Sequence, residues 1–388
     1  MIGRSLFDSE SINEMFDNRL AGNPAVRAVR AVLAIALALC LPLAPLQAET
    51  AIALSDNPDA VARFVRAPGA PRPGGEVELT DVDLLNNRAN NGGALGVDSA
   101  RVVVNGGEIQ GNNAFYYGGG LYVIDSSGSE PSVVKIELTR FTGNTAGVSG
   151  GGAWADSGQT FELRRAWFQG NVAEGLWAGA AFNPTLVERC WFLENGGTGA
   201  VTNYAGAVKL RNSAIIRNSV FMGNVSYFGG AVDLYDYPDQ STRYELINNT
   251  FVDNTALSGE GMAIYFYAID AVVLKNNIIV DTGLSPAESH IHNIDIFLSY
   301  DITHNDLWID SGTAFGGYVL EDEDLIGTTG NIPVDPMFDT YHTGDFAGAD
   351  LQLLPGSPCI NAGDISYGGD RDGTETDMGA YGGPTSLP

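Results

Sequence analysis

The chain has 388 residues and carries 47 acidic against 20 basic side chains, a formal net charge of −27. This charge argues against a nucleic-acid-binding protein, because phosphate contacts require clustered Lys and Arg. Collagen is excluded because the 49 glycines have no three-residue period, and a hydrophobic content of 44% with only 17% charged residues excludes a disordered acidic tail.

Residues 1–48 have the arrangement of a signal peptide. Arg27 and Arg30 precede the apolar run 31–44, and Leu-Gln-Ala closes the segment. The run is too short to span a bilayer comfortably, and Met15 is an alternative start. We therefore expect a secreted protein, either extracellular, on the cell surface or periplasmic. We expect no stable membrane insertion after the signal is removed.

Residues 49–78 are predicted to be an N-terminal segment that ends in a flexible connection. Its part 67–75 reads APGAPRPGG, and such Pro/Gly-rich stretches are typical of linkers. The first repeat is expected directly after it.

Residues 79–281 are predicted to be a repeat region, in which an apolar residue recurs three positions before an Asn or, once, an Asp. Successive Asn residues are 25, 32, 27, 24, 29 and 30 positions apart. A unit of about 20 to 50 residues repeated this often indicates a solenoid or a propeller, because one unit alone cannot bury its apolar face. The pairs are Leu84/Asn87, Ile109/Asn112, Phe141/Asn144, Phe168/Asn171, Phe192/Asn195, Phe221/Asn224, Phe251/Asn254 and Ile278/Asp281.

The unit favours a solenoid of short strands. A step of mostly small residues, such as Gly118–Gly120 or Gly150–Gly152, follows most pairs, and alternating runs such as Ala231–Tyr235 lie between them. Helical periodicity does not occur after residue 75. About three strands per unit predict an all-β fold, a single-stranded right-handed parallel β-helix with rungs about 4.8 Å apart. A propeller blade would need a longer unit and antiparallel hairpins.

The recurring Asn has a structural role in such a coil. It tolerates left-handed backbone at a turn, and its amide can hydrogen-bond to the rungs above and below. The predicted structural ladder consists of Asn112, Asn144, Asn171, Asn195, Asn224 and Asn254.

Both parts of the chain resemble known families. The Phe-x-x-Asn and Gly-Gly-Ala motifs resemble the repeats of chlamydial-type polymorphic outer-membrane proteins, in the pectate-lyase-like β-helix group with its pectin lyase fold. Asp335–Phe338, Gly356–Asp364 and Asp377–Tyr381 resemble the choice-of-anchor Q domain of secreted bacterial β-helix proteins. The resemblance implies that 282–388 comprises irregular last rungs followed by a cap over the unpaired strand edges of the final rung.

The predicted fold does not define an activity. The β-helix group implied by the resemblance includes pectin and alginate lyases, polygalacturonases, tailspikes and adhesins. The Gly-His-Gly of polygalacturonase-type enzymes does not occur here. We expect a secreted binding or structural protein that engages polysaccharide or a cell surface, in the manner of an adhesin. The alternative is a polysaccharide lyase that acts on an acidic glycan with assistance from Ca²⁺.

One outward column of the predicted coil combines aromatic and charged side chains. Lys209 or Arg211 is the candidate base of a lyase, and Asp233 lies beside them. Flat aromatic faces next to such charges suit a sugar chain. The alternative is an aromatic ladder that only stabilises the strands. The candidate ligand-binding residues of this surface are Tyr122, Trp154, Phe182 and Tyr235, and Ile264 and Phe266 are expected to continue the same columns.

A second column pairs Trp167 with Trp191 and Arg165 with Arg189, one rung apart. Stacked indole and guanidinium groups can grip an anionic glycan. The alternative is a rim covered by a loop or by the chain ends. The net charge opposes polyuronate ligands unless Ca²⁺ bridges them.

An acidic loop near the C-terminus is a candidate Ca²⁺ site. Asp370, Asp372, Glu375 and Asp377 surround Gly373, with a loose similarity to the start of an EF-hand loop. The alternative is a turn capped by its own carboxylates.

Once residues 1–48 are removed, two cysteines remain, Cys190 and Cys359. They fall in different parts of the repeat scheme, so we predict two buried free thiols instead of a disulfide.

Overall fold

The computed structural model describes residues 51–52, 61–65, 76–126, 128, 131–175, 177–196, 204–235, 242–267, 270–283, 289–294, 299–310, 312–317, 325–342 and 345–387. The predicted signal peptide and the predicted Pro/Gly linker lie outside these residues.

Three long sheets, here called sheets 1, 2 and 3, wind around one apolar core. Sheet 1 consists of Ala51–Ile52, Val61–Val65, Glu76–Thr80, Arg101–Asn105, Val133–Glu137, Thr160–Arg164, Leu186–Glu188, Ala214–Arg217, Arg243–Ile247, Ala271–Lys275 and Ser299–Thr303. Sheet 2 consists of Leu84–Leu85, Glu108–Gln110, Arg140–Thr142, Trp167–Gln169, Trp191–Leu193, Val220–Met222, Thr250–Val252, Ile278–Asp281 and Asp306–Ile309. Sheet 3 consists of Leu95–Asp98, Leu121–Ile124, Ala153–Ala155, Ala181–Phe182, Val208–Leu210, Val232–Tyr235, Glu260–Tyr267, Ser289–Asn293 and Thr313–Gly317.

Shorter elements complete the coil and its surroundings. The first two strands of sheet 1 are antiparallel additions at its N-terminal edge, whereas its other strands are parallel. Two small parallel sheets form the corner between sheets 2 and 3, with strands Arg88–Asn91, Asn113–Tyr117, Thr145–Ala146 and Val172–Ala173 in one and Val225–Ser226 and Thr255–Ala256 in the other. Phe338–His342 and Asp345–Leu353 form an antiparallel pair, and Ile365–Tyr367 is a 3-10 helix.

Parallel pairing in register places equivalent side chains directly above one another. The buried aromatic rings of sheet 2 show this most clearly, since their centroids are 4.5 to 5.1 Å apart from Phe141 through Phe168, Phe192 and Phe221 to Phe251. Alternation along each strand then sends neighbouring residues outward. The predicted fold class, an all-β right-handed parallel β-helix, is confirmed.

The six Asn residues of the predicted ladder are stacked at the end of sheet 2. The Nδ2 of Asn144 donates to the backbone oxygen of Ile109 at 2.7 Å and to the Oδ1 of Asn171 at 2.9 Å, and the pattern repeats up to Asn224, which donates to Asn254. The left-handed backbone lies one residue earlier than expected, at Gly143 and Glu194 for example. The preceding residue makes the turn, which leaves the Asn side chain directed inward towards its partners.

A second Asn ladder at the corner between sheets 1 and 2 was missed from the sequence. Backbone and side-chain amides donate from Asn249 to Asn277, from Asn277 to Asn305 and from Asn305 to Asn331 at 2.9 to 3.0 Å. The Asn-Asn dipeptides at 248–249 and 276–277, which are 28 residues apart, were the available signal.

The coil continues beyond residue 281, where the sequence landmarks end. Ser299–Thr303 and Asp306–Ile309 add in register to sheets 1 and 2, and Ser289–Asn293 adds to sheet 3 with a register shift between Glu260 and Ile264. The described strands between 289 and 317 therefore continue the three sheets, although the Phe-x-x-Asn motif is lost.

The C-terminal segment, residues 345–387, lies along the side of the coil instead of across its last rung. Leu351, Met378 and Ala380 pack on the outward apolar side chains of sheet 2, such as Val220 and Ile278. Hydrogen bonds attach the segment to several rungs, including Asn218 Nδ2 to Gly382 O at 2.6 Å and Asn248 Nδ2 to Asp377 O at 2.9 Å. From the sequence, a cap over the last rung was expected. The segment instead covers the flank of the coil, because the apolar side chains that it buries lie on the outer face of sheet 2.

Candidate functional site

The outer face of sheet 1 is a ladder of paired charges. Glu137, Arg164, Glu188 and Arg217 occupy successive rungs of one column. Arg164 contacts Glu188, and Arg217 Nη2 lies 2.7 Å from the second oxygen of the same carboxylate. Such partly exposed pairs contribute little stability and leave few charges available for a ligand.

The outer face of sheet 2 is polar where it is exposed and apolar where the C-terminal segment covers it. Trp167 and Trp191 stand at this transition, with ring centroids 5.3 Å apart, and both pack against the apolar cluster beneath the segment. Arg189 Nε donates to Thr385 O at 2.6 Å, and Arg165 Nη2 lies 3.0 Å from Glu137 Oε1. Trp167, Trp191 and Arg189 thus lie at a rim that the C-terminal segment partly covers, and Arg165 is paired with Glu137. This arrangement fits the covered rim better than an open anion-binding groove.

The outer face of sheet 3 carries a column of aromatic side chains. The rings of Tyr122 and Trp154 stack with centroids 4.9 Å apart, and Phe182 follows at 5.6 Å. Phe182, a predicted ligand-binding residue, is only 2% exposed, so it supports the stack from below and offers no surface of its own to a ligand. The full column in register order is Gly96, Tyr122, Trp154, Phe182, Lys209, Asp233, Tyr265, His292 and Gly316. Together with neighbouring rings it forms a surface that we call the aromatic face: Tyr117, Tyr122, Trp154, Trp177, Phe182, Tyr204, Tyr235, Tyr265 and Tyr267.

Two residues expected in these outward columns face the core. Ile264 pairs with Val232 and Phe266 with Leu234, and all four are fully buried. Tyr265 and Tyr267 take the outward positions. The distance from the small-residue step to the strand varies by one residue between rungs, and a shift of one residue exchanges the two faces of a strand.

The three candidate catalytic residues lie close together, and two of them, Lys209 and Asp233, are beneath the surface. Lys209 Nζ lies 2.7 Å from Asp233 Oδ1, and the side chains are only 3% and 1% exposed. The ammonium also lies 4.7 Å from the ring centroid of Tyr204 and 5.1 Å from that of Tyr235. Burial lowers the pKa of Lys209 and raises that of Asp233, although their attraction opposes both shifts.

Arg211 lies beside the same cluster, because Lys209 and Arg211 both contact the ring of Tyr235. Its guanidinium lies 5.4 Å from the ring centroid of Trp177 and 5.6 Å from that of Tyr235. Cation–π contacts of this kind stabilise a half-buried guanidinium. Lys209, Asp233 and Arg211 therefore hold the middle of the aromatic face together, and a polymer on the surface cannot reach the Lys209 amine.

The carboxylates of the candidate Ca²⁺ loop accept hydrogen bonds from their own turns. Asp370 accepts from the backbone of Asp377 at 3.1 Å, Asp377 from Asn361 N at 2.7 Å, and Asp372 from Thr374 N at 3.0 Å. Burial, reinforced by the charge of Asp370, raises the pKa of Asp377 to about 6. In the described ranges, no group of three or more His, Cys, Asp or Glu side chains has a geometry that could hold a metal ion.

Both remaining cysteines are buried and free, which confirms the prediction. Burial raises the pKa of Cys190 to about 12, so this thiol stays protonated. Cys359 Sγ lies 3.1 Å from Asp306 Oδ2, and burial raises the pKa of Asp306 to about 7.

Comparison with known proteins bears mainly on the fold. The family model described as a right handed beta helix region matches residues 72–251. No curated protein and no solved structure matches the chain. A β-helix supports a structural or carbohydrate-related role in general. Within the part of the chain that the structure describes, no helix has the length and apolar character needed to cross a membrane.

Proposed function

We propose that this parallel β-helix protein is secreted and binds glycan through the aromatic face of sheet 3, as an adhesin or a component of an extracellular matrix. One observation carries the proposal. Sheet 1 presents paired charges and sheet 2 is largely covered by the C-terminal segment, whereas sheet 3 leaves several partly exposed aromatic rings, among them Tyr122, Trp154 and Tyr235, although Phe182 and Tyr265 on the same face are buried.

The chemistry of this face suits carbohydrate. Tyr and Trp combine an apolar ring with a polar tip, which matches the apolar C–H faces and the hydroxyl groups of a sugar. The patch extends to the corner, where Phe115 is 59% and Tyr116 44% exposed, next to Tyr117. Exposed apolar patches of this kind mark interaction sites.

The burial of Lys209 supports binding without catalysis. A lyase requires a base that reaches the proton beside the sugar carboxylate, but the Lys209 amine is held by Asp233 beneath Tyr204 and Tyr235. The secreted location rests on the signal-peptide pattern and on the resemblance to secreted β-helix proteins.

A glycan array with purified protein tests the proposal. We expect binding that falls strongly in Trp154→Ala, with Arg140→Ala on the exposed part of sheet 2 as the matched control. Absence of binding to every glycan would contradict the proposal. Release of unsaturated oligosaccharides from a uronate polymer, abolished by Lys209→Ala, would replace it with the lyase alternative.

A further inference from the structure

The aromatic column of sheet 3 ends at its N-terminal side in a gap. Tyr122 stacks on Trp154 with an interplanar angle of 16°, and on the preceding rung its register partner is Gly96. Among the residues that the structure describes, none places a heavy atom within 4 Å of the position that a Cβ of Gly96 would occupy. Trp154, by contrast, has Phe182 on its other side. The ring of Tyr122 is therefore stacked by Trp154 and, at 6.3 Å, by Tyr117, whereas its register partner on the preceding rung, Gly96, has no side chain to cover it.

Carboxylates flank this ring. Asp98 is exposed and lies two residues after Gly96, on the same side of the strand. Burial alone would raise the pKa of Asp98, but hydrogen bonds from Ser126 and Ser99 outweigh this effect and lower it. Asp98 is thus ionised at neutral pH and keeps acceptor capacity for further donors. Asp156 and Asp98 both act electrostatically on Tyr122.

We propose that the space bounded by Gly96, Asp98 and Tyr122, here called the Gly96 notch, binds one sugar ring that has no carboxylate. The inference rests on the proposed function and adds a subsite and a substrate class. The apolar face of a pyranose stacks on Tyr122, and its hydroxyl groups donate to Asp98. The carboxylate of a uronate would add a third negative charge to those of Asp98 and Asp156, which Coulomb repulsion opposes.

The notch can be filled without disturbing the coil. Gly96 has an open Cβ direction and no left-handed backbone, so Gly96→Val fits the strand and places two methyl groups below the Tyr122 ring. Gln110→Val, which adds the same side chain at an exposed outward position of sheet 2, is the matched control. Tyr122→Leu removes the platform by an independent route.

Affinity electrophoresis in gels that contain galactomannan, xyloglucan or polygalacturonate measures the effect. We expect the wild type to be retarded by a neutral polymer more than by polygalacturonate. Gly96→Val and Tyr122→Leu should weaken that retardation about tenfold or more, with Gln110→Val unchanged. Retardation that survives in both variants, or that occurs only with polygalacturonate, would overturn the notch while glycan binding stands. A wild type that none of the polymers or array glycans retains would overturn the proposed function as well.

Discussion

The thiol of Cys359 in the C-terminal segment lies 3.1 Å from the Oδ2 of Asp306 in the last strand of sheet 2, and both groups are buried. This contact joins the segment to the coil through an acid that is hard to ionise. The attachment of the segment should therefore depend on pH.

We predict that the protein loses stability as the pH rises from about 4 to about 7. The pKa of Asp306 is raised from 3.8 to about 7, so the stabilisation from its proton is complete below pH 3.8 and is lost as the pH rises through 7. Asp377, raised to about 6, acts in the same direction. Thermal unfolding at constant ionic strength should show a lower Tm at pH 8 than at pH 5. The corresponding loss in the free energy of unfolding is on the order of 1–3 kcal/mol. Asp306→Asn should reduce this dependence, and an identical slope in the variant would contradict the assignment.

Removal of one ladder amide should cost more stability than removal of a half-exposed Asn side chain at the same corner of the coil. Asn171 is fully buried and its Nδ2 donates to Phe141 O and to Asn195 Oδ1. Asn171→Ala leaves buried acceptors unsatisfied, and we expect a loss of about 2–4 kcal/mol in the free energy of unfolding by urea. Asn113→Ala removes one half-exposed bond to Thr145 and should cost less than about 1 kcal/mol. Equal losses would show that a stacked amide contributes no more to the free energy of unfolding than a half-exposed side-chain hydrogen bond does.

The C-terminal segment should detach before the coil unfolds. Met378 is buried against sheet 2, and Met378→Ala should cost about 2–5 kcal/mol through the lost contacts and the cavity. Limited proteolysis should then cleave the segment faster while the coil remains resistant. Met337→Ala, at a position 38% exposed, is the control. A variant in which coil and segment are degraded together would indicate a single cooperative unit.

Calcium binding at the loop from Asp370 to Asp377 remains a prediction. A bound cation would offset the repulsion between Asp370 and Asp377, which the pKa of Asp377 reflects. We therefore expect Ca²⁺ to raise the Tm and a chelator to lower it, with Asp370→Asn insensitive to both. If the wild type responds to neither reagent, the carboxylates serve only as acceptors for their turns.

Several features of this protein could be predicted from local sequence patterns. The pairing of an apolar residue with an Asn three positions later predicted two features. The apolar residue marks a strand whose side chain faces the core, and the Asn marks the amide that stacks at the end of that strand. Both could be predicted because each recurs on successive rungs with the same neighbours. That Cys190 and Cys359 are free thiols could be predicted because they fall in different parts of the repeat scheme. The ladder through Asn249 and Asn277 had a comparable signal in two Asn-Asn dipeptides and was overlooked.

The character of each outer face was decided by tertiary structure. Ile264 and Tyr265 exchange roles through an offset of one residue, which only the pairing with Val232 and Asp233 defines. Burial of Lys209 depends on Asp233 and Tyr235 of the next rung and on Tyr204 before it. Trp191 packs against a cluster that includes Met378 and Ala380, and Arg189 beside it contacts Thr385, which lies 196 positions later. Periodicity reports which residues repeat together, whereas long-range contacts between different parts of the chain determine which of the exposed columns stays open to a ligand.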